Sequence, residues 1–228
     1  MLVDQNGLFV SQRSDPRLAL VRVALGPDSI QVTARGVTEA LQVPLEATGE
    51  RIWVRHITED ESEAILADPK ADAWFSSLLG RAVRLVQFPK EPSRRIAPEF
   101  VPEERYTSFN DGFPLLIASQ ASMDALNAKL EQPVTWERFR PNIVIEGAEA
   151  HAEDGWKNIR IGTLELKILK PCARCAIIMT NPETGERERE PMRTLATYRT
   201  IQGKVMFAQN AIHPSPGTIR VGDTLEVL

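Results

Sequence analysis

Apolar and polar residues alternate along the N-terminal part of the chain, which is the two-residue period of half-buried β-strands. Asn6 and Gly7 predict a hairpin turn, because both residue types tolerate positive φ. Only MLVDQ precedes this turn, so the chain is expected to begin inside a structural element. Strands are predicted in the runs GLFVSQRSD, LALVRVALG and SIQVTARG.

The pattern then changes to a helical period over residues 59–80, EDESEAILADPKADAWFSSLLG. Thr58 or Asp60 is the predicted N-cap, Pro69 is expected to interrupt the helix, and Gly80 fits a C-terminal cap. A short buried strand, AVRLVQFP, follows. The first part of the chain is therefore predicted to be mainly β, with a single helical region.

Residues 90–112 are rich in proline and charge, which predicts a long connection or domain boundary. Beyond it, an apolar strand leads to Ser122, a predicted N-cap, and to a helix with Met123, Leu126 and Leu130 on one face. Gly162 marks a hairpin turn. Further strands are predicted in RPNIVIEG, IRIGTLELKILKP, CAIIMTNPETGERERE, GKVMFAQNAI and GTIRVGDTLEVL.

Helices do not alternate regularly with these strands, so a doubly wound parallel sheet is disfavoured. The predicted fold class is α+β and β-rich, with a barrel-like C-terminal domain that carries short helices. The net charge of −4 over 228 residues gives no electrostatic case for nucleic acid or an anionic membrane. The N-terminus lacks signal-peptide character, and the expected setting is cytoplasmic and reducing.

Both cysteines of the chain, Cys172 and Cys175, lie three residues apart. A structural zinc site needs four ligands, and the three histidines are scattered, so a complete zinc site on one chain is disfavoured, although a site shared across a dimer stays open. A thioredoxin-type dithiol precedes a helix, whereas the residues after Cys175 predict a strand. Two interpretations remain. Both cysteines are small buried hydrophobes, or the Cys175 thiolate, favoured by Lys170 and Arg174, binds a soft or high-valent metal that carries a larger anionic ligand.

A series of motifs, in order over most of the chain, resembles the MOSC-domain family, and within it the amidoxime-reducing branch. The motifs are QRSDPRLALV, FNDGFPLLIASQASMDALNAKL, RFRPNIVIEG, AHAEDGWKNIRIG, PCARCAIIMTNPETGERERE, LATYR, FAQNAI and PGTIRVGD. Each motif alone is weak, whereas their order and spacing together are specific. The resemblance implies a partial MOSC N-terminal β-rich domain over residues 1–95 and a MOSC domain over residues 96–228.

The resemblance also implies a site. It gives Cys175 the role of molybdenum ligand and catalytic residue, and it leaves Cys172 to pack behind the loop. The remaining cofactor-binding positions that it implies are Asp111, Gly112, Phe113, Arg140, Asn142, Ala173, Arg174 and Asn210. A guanidinium fork matches phosphate oxygens, and an amide can read a pterin edge. Taken singly, Arg140 fits a surface ion pair, Asn142 a strand-end turn, and Asp111 with Gly112 an ordinary turn.

Two stretches that family members carry before this point, one YPVKS-like and one DRxW-like, do not occur in the sequence. Either the chain is shortened or its start is mis-set, or the protein lacks these anchors. Losing two charged contacts to phosphate, at about 1.5–3 kcal/mol each, would weaken cofactor binding by orders of magnitude. The chain in this form is therefore expected to be isolated without cofactor and to be inactive.

The function that the resemblance implies is a molybdenum-cofactor (Mo-molybdopterin) oxidoreductase that reduces N-hydroxylated compounds: amidoximes, hydroxylamines and N-hydroxylated bases. Two cysteines cannot hold an iron–sulfur cluster, so electrons are expected from a separate ferredoxin-type or flavin-reductase-type protein. Pyridoxal phosphate binding is a further association that the resemblance brings. Two alternatives stay open. One is a non-catalytic carrier of the cofactor, or of sulfur as a Cys175 persulfide, and the other is a dithiol oxidoreductase that uses both cysteines.

Overall fold

The structure is a computed structural model that describes residues 1–91 and 93–228. The chain divides into two compact units, which are described separately. The first unit comprises residues 1–112 and 180–187, and the second comprises residues 113–179 and 188–228. The predicted boundary between residues 95 and 96 stays a prediction.

The larger sheet of the first unit has the strand order β2-β1-β8-β7-β6. Its strands are β1 (Leu2–Val3), β2 (Phe9–Val10), β6 (Arg51–Arg55), β7 (Glu61–Leu66) and β8 (Arg84–Gln87). The hairpin predicted at Asn6 and Gly7 is confirmed, because β1 and β2 pair antiparallel and Gly7 has φ of 77°. A Cβ on Gly7 would lie 2.7 Å from the carbonyl oxygen of Trp53, so the turn also needs glycine for space.

A three-stranded antiparallel sheet and one helix complete the main part of this unit. The sheet consists of β3 (Val21–Leu25), β4 (Ser29–Ala34) and β5 (Leu41–Pro44), and the helix α1 spans Pro69–Leu79. Apolar residues of α1, among them Phe75 and Leu79, share one core with residues of β1, β2, β4 and β5. A short two-stranded pair, β9 (Arg94–Arg95) and β10 (Tyr106–Thr107), lies within the predicted connection.

The helix predicted over residues 59–80 is wrong in its first half. Residues Glu61–Leu66 form β7, in which Ser62 and Ala64 are buried and alternate with more exposed neighbours. Pairing with β6 and β8 outweighs the helix propensity of this glutamate-rich run. The N-cap is Asp68, and Pro69 is the first helical residue and does not interrupt the helix. The C-cap at Gly80 is confirmed, with φ of 59°.

The second unit is built on one large sheet with the order β12-β11-β16-β14-β13-β17, and β15 pairs with β16. The strands are β11 (Leu115–Ser119), β12 (Ile143–Ile145), β13 (Asn158–Ile161), β14 (Leu164–Ala173), β15 (Thr200–Ile201), β16 (Lys204–Ile212) and β17 (Leu225–Val227). The hairpin turn predicted at Gly162 is confirmed, with φ of 56° between β13 and β14. The β-rich fold class with few helices is likewise confirmed.

The helices of this unit are short. They are α2 (Gln120–Asn127), α3 (Met192–Ala196) and the 3-10 turns Trp136–Arg138, Ala152–Gly155 and Ala176–Met179. The N-cap of α2 is Ser119 and not the predicted Ser122, because the Ser119 side chain accepts a hydrogen bond from the Ser122 amide. The strand predicted after Cys175 is also wrong, since Ala176–Met179 forms a 3-10 turn. None of the helices in the described part of the chain is long and apolar enough to cross a membrane.

Candidate functional site

The long strand pair β14–β16 carries two register shifts, and Cys172 lies at the second. Pro171 pairs with Gln209 and Ala173 with Met206, so two residues of β16 stand opposite Cys172 alone. One of these, Ala208, is buried and has φ of 68°. Bulges of this kind redirect side chains and are frequent beside active sites. The irregular backbone is therefore typical of a functional site at this end of β14.

Cys175 follows the last residues of β14 and directly precedes the 3-10 turn Ala176–Met179, whose Ile178 amide donates to the Cys175 carbonyl at 3.4 Å. Both cysteines are half-buried and free. One short 3-10 turn has little dipole, so the correction from strand to turn adds no thioredoxin-like activation. Within residues 1–91 and 93–228, no three His, Cys, Asp or Glu side chains are grouped to hold a metal ion by themselves.

The guanidinium of Arg174 contacts Cys172. Its Nη1 donates to the Cys172 Sγ at 3.2 Å, and its Nη2 donates to the carbonyl of Phe139 at 3.0 Å. The guanidinium also lies over the Phe139 ring, 5.4 Å from the centroid. Its Nε is buried without a hydrogen-bond partner among the described residues. Two of the three nitrogens of Arg174 are thus used within the protein, and the third is an unsatisfied donor.

Two predicted asparagines flank the same residue of β11. The Asn142 amide donates to the Leu116 carbonyl at 2.9 Å, and the Asn142 Oδ1 accepts from the Leu116 amide at 2.8 Å. On the other side of β11, Leu116 pairs with Asn210, which pairs in turn with Lys170 of β14. Asn142, Asn210 and Lys170 therefore lie in one row across the sheet. Phe113 joins this row, because the Lys170 Nζ lies 5.1 Å from the centre of its ring.

Arg140 is exposed and has φ of 57°, in the left-handed region that favours glycine. Its side chain makes no hydrogen bond or ion pair with the part of the chain that the structure describes, whereas its amide donates to the Trp136 carbonyl at 2.7 Å. Ala173, the last residue of β14, is also exposed. A strained backbone that presents an uncommitted guanidinium is the kind of outlier that suggests a binding role.

Asp111 and Gly112 belong to the first unit, and the other predicted site residues belong to the second. The Asp111 carboxylate pairs with Arg13 at 3.1 Å. The buried guanidinium of Arg94 donates to the carbonyls of Ser108, at 2.8 Å, and Asn110, so it holds the loop that carries Asp111. A Cβ on Gly112 would meet no atom within 4 Å, so no neighbouring group in the described chain requires glycine there.

A polar network supports β16 next to Asn210. The buried Gln209 donates from Nε2 to Asp154 at 2.7 Å, and Arg199 donates to the same carboxylate at 2.6 and 3.0 Å. Burial alone would raise the pKa of Asp154, but the hydrogen bonds and charge of Arg199 outweigh it, so the pKa is lowered. Asp154 is therefore held as a carboxylate that anchors this strand.

Arg138 is a residue that the sequence reasoning missed. It is 6% exposed, and its Nη2 lies 2.5 Å from the Glu188 carboxylate. Its Nη1 makes long hydrogen bonds to the carbonyls of Ile178, at 3.4 Å, and Glu190, at 3.5 Å. The signal in the sequence is the run RFR before Pro141, in which two arginines flank a buried phenylalanine. A buried arginine is rare unless it is paired, so its partners are part of its role.

Comparison with known proteins identifies the family. A model described as "MOSC domain" matches residues 104–226, and one described as "MOSC N-terminal beta barrel domain" matches residues 1–82. The chain is 34% identical to "Mitochondrial amidoxime-reducing component 1" of Homo sapiens, over 100% of this chain and 72% of that protein.

The protein of the same name from Mus musculus is 35% identical over 100% of this chain and 71% of its own length. "Mitochondrial amidoxime reducing component 2" of Rattus norvegicus is 33% identical over 98% of this chain and 70% of its own length. A solved structure from Bordetella bronchiseptica aligns with 46% of this chain and 76% of its own chain at 22% identity, with a TM-score of 0.34. The chain belongs to the MOSC-domain family.

Proposed function

We propose that this chain binds a molybdenum cofactor through the Cys175 thiolate and reduces N-hydroxylated compounds such as amidoximes, hydroxylamines and N-hydroxylated bases. The observation that carries the proposal is the 34% identity, over 100% of the chain, to a human protein named an amidoxime-reducing component. The local donors of the second unit support it as well.

The donors fit a metal that brings most of its own ligands. Cys175 offers one soft thiolate, and the described residues group no further metal-binding side chains around it. Such a donor set suits a metal already held by an organic dithiolene. The uncommitted fork of Arg140 matches phosphate oxygens, and the amides of Asn142 and Asn210 can donate to or accept from a heterocycle edge. The unsatisfied Nε of Arg174 is a further donor.

The proposed reaction cleaves an N–O bond. An amidoxime takes up two electrons and two protons, and it leaves as an amidine and water. When bound, the cofactor supplies the two-electron redox chemistry. The protein supplies the Cys175 ligand, the phosphate and pterin contacts and the polar row Asn142–Asn210–Lys170. Of these, Lys170 carries a proton at Nζ that a leaving oxygen can accept.

The electrons are proposed to come from a separate protein, because a chain with two cysteines cannot ligate an iron–sulfur cluster alone. We propose a ferredoxin-type or flavin-reductase-type protein as the donor. We propose a cytoplasmic setting, which suits two free thiols in a protein of this size.

The test is a reductase assay with benzamidoxime as substrate and reduced methyl viologen as electron donor, on protein equilibrated with excess molybdenum cofactor. The chain as isolated is expected to be inactive because it lacks cofactor. After this equilibration we expect activity in the wild type and in Cys172→Ser, and background rates in Cys175→Ser. A Cys172→Ser variant as inactive as Cys175→Ser would favour the dithiol alternative. Absence of activity, together with a persulfide on Cys175 by mass spectrometry, would favour the sulfur-carrier alternative.

A further inference from the structure

We infer that Arg138 is a positioning residue that, together with Arg174, holds the Arg140 segment in register with the Cys175 segment. The inference rests on the proposed function, since it takes Arg140 and Cys175 as contacts of one cofactor. It concerns only the second unit. The predicted site residues do not include Arg138.

The two segments are far apart in sequence and exchange hydrogen bonds in both directions. Arg138 precedes Arg140 by two residues, and it donates to the carbonyl of Ile178, three residues after Cys175. Arg174 directly precedes Cys175, and it donates to the carbonyl of Phe139, directly before Arg140. We call this pair of arginines and the two carbonyls that they reach the arginine clasp.

The clasp is buried on the Arg138 side. Arg138 is 6% exposed, and its charge is matched by Glu188 at 2.5 Å. Its bonds to Ile178 and Glu190 reach both sides of residues 180–187, which belong to the first unit. One guanidinium thus joins the segments around Ile178 and Glu190, which a lysine with its single ammonium cannot reproduce.

Phe139 transmits this arrangement to Arg140. Its side chain is 1% exposed and its ring lies 4.6 Å from that of Phe207, so it has little freedom to rotate. The next residue, Arg140, has φ of 57°, a left-handed backbone conformation that is unfavourable for residues other than glycine. A strained residue stays in place only when its neighbours determine it. The clasp provides that constraint, and so it sets the distance between the Arg140 guanidinium and the Cys175 thiol.

A double-mutant cycle tests the inference. Wild type, Arg138→Met, Arg140→Ala and the double variant are dialysed anaerobically against molybdenum cofactor released from a denatured molybdenum enzyme, and bound molybdenum is measured. We expect Arg138→Met to weaken binding by about 10- to 100-fold, as loss of a supporting partner does at metal sites. If Arg138 acts through Arg140, the double variant binds molybdenum no more than about threefold more weakly than Arg140→Ala. A loss of binding in the double variant equal to the product of the two single losses would overturn the inference.

Three further variants separate positioning from general damage. Arg160→Met removes an exposed ion pair with Glu226 in the same unit, and Ile159→Ala destabilises a different core cluster, shared with Leu164 and Leu166. Both variants are expected to bind as much molybdenum as the wild type under conditions in which they are folded. Arg138→Lys is expected to recover only part of the affinity, because lysine keeps the charge and loses the fork.

Amide hydrogen exchange on cofactor-free protein gives a readout that does not depend on the proposed function. In Arg138→Met, exchange is expected to accelerate at residues 139–142 and at residues 174–178 together, whereas in Ile159→Ala it is expected to accelerate over the whole unit. Acceleration at only one of the two segments would overturn the inference. A wild type that takes up no cofactor would overturn the proposed function, and the exchange result would still decide whether the clasp exists.

Discussion

Ala208, opposite Cys172 in the second unit, has an unusual backbone conformation. Its φ of 68° falls within a strand and its side chain is 2% exposed, so strain and burial coincide. A left-handed alanine costs about 1–2 kcal/mol, which the bulge in β16 imposes. Because this conformation lowers the stability of the fold, we expect it to serve the geometry of the site.

Replacing this alanine tests the strain. We expect Ala208→Gly to change the free energy of unfolding by less than about 1 kcal/mol, because relief of strain offsets the added chain entropy. Ala211→Gly, in the same strand with equal burial, is expected to lose about 1 kcal/mol or more. Ala208→Val is expected to lose more than about 2 kcal/mol, since a β-branched residue is excluded from this region. Urea titrations measure all three. Equal losses in the two glycine variants would show that Ala208 is not strained.

A second prediction at this scale concerns Asn142. Its Oδ1 accepts from the Leu116 amide, and that bond fixes the start of the parallel β11–β12 pair. Asn142→Asp keeps the acceptor and loses the Nδ2 donor, so we expect unchanged stability and weakened cofactor binding. Asn142→Ala is expected to lose about 1 kcal/mol of stability in addition. Unfolding curves and bound molybdenum distinguish the two, and cofactor binding by Asn142→Asp at the wild-type level would contradict a direct contact.

At the scale of elements, α1 shows which signals in a sequence are dependable. The Asp68 Oδ1 accepts from the Lys70 amide at 2.8 Å, and Gly80 closes the helix in the left-handed conformation. We expect Asp68→Ala to cost about 1 kcal/mol and Gly80→Ala a similar amount, whereas Lys70→Ala, at an exposed position, changes little. Urea titrations test this. If the two cap variants are as stable as Lys70→Ala, the result contradicts the observed capping.

Turn chemistry was readable from the sequence because it is local. Gly7, Gly80 and Gly162 adopt the positive φ that their neighbours predicted. The errors came where tertiary pairing decides. Residues 61–66 have a helix-forming composition, yet they pair on both sides within a sheet. The strand predicted after Cys175 is a 3-10 turn. The pairing of β14 with β16 ends at Ala173 and Met206, and the two residues of β16 before Met206 pair with β15 instead.

At the scale of the whole molecule, the family and the β-rich architecture could be predicted from the order of motifs. Hydrogen-bond partners could not, because they join residues far apart in the chain. Arg174 is next to Cys175 in sequence, but its guanidinium contacts Cys172 and Phe139. The run RFR alone did not identify Arg138 as a site residue, since its partners lie 40 to 52 positions away. The predicted role of each site residue towards a cofactor stays a prediction.

The pH dependence of stability is also a property of the whole chain. His56 is buried against Ser62, and burial followed by the charge of Arg94 lowers its pKa below the ordinary value of 6.5, although Asp60 opposes this. Below pH 6.5 the unfolded chain therefore binds a proton that the folded chain does not, so stability falls as the pH falls. For this group, the free energy of unfolding changes by at most about 1.4 kcal/mol per pH unit.

Urea titrations at pH 7.5 and 5.5 test this effect. We expect the wild type to lose stability on acidification and His56→Gln to lose less. His213→Gln, at an exposed position, serves as the matched control and should behave like the wild type. His151, with its pKa also lowered, and the Met1 amine, with its pKa lowered by burial to about 5, contribute equally in each variant. An equal pH dependence in His56→Gln would contradict the account.

The central claim is that one thiolate, Cys175, holds a molybdenum cofactor. It is tested most directly by the molybdenum and pterin bound per chain after anaerobic equilibration with excess cofactor, in wild type, Cys172→Ser and Cys175→Ser. We predict stoichiometric molybdenum and pterin in the wild type and Cys172→Ser, and loss of molybdenum in Cys175→Ser. Equal molybdenum in all three proteins, or none in any of them, would contradict the claim.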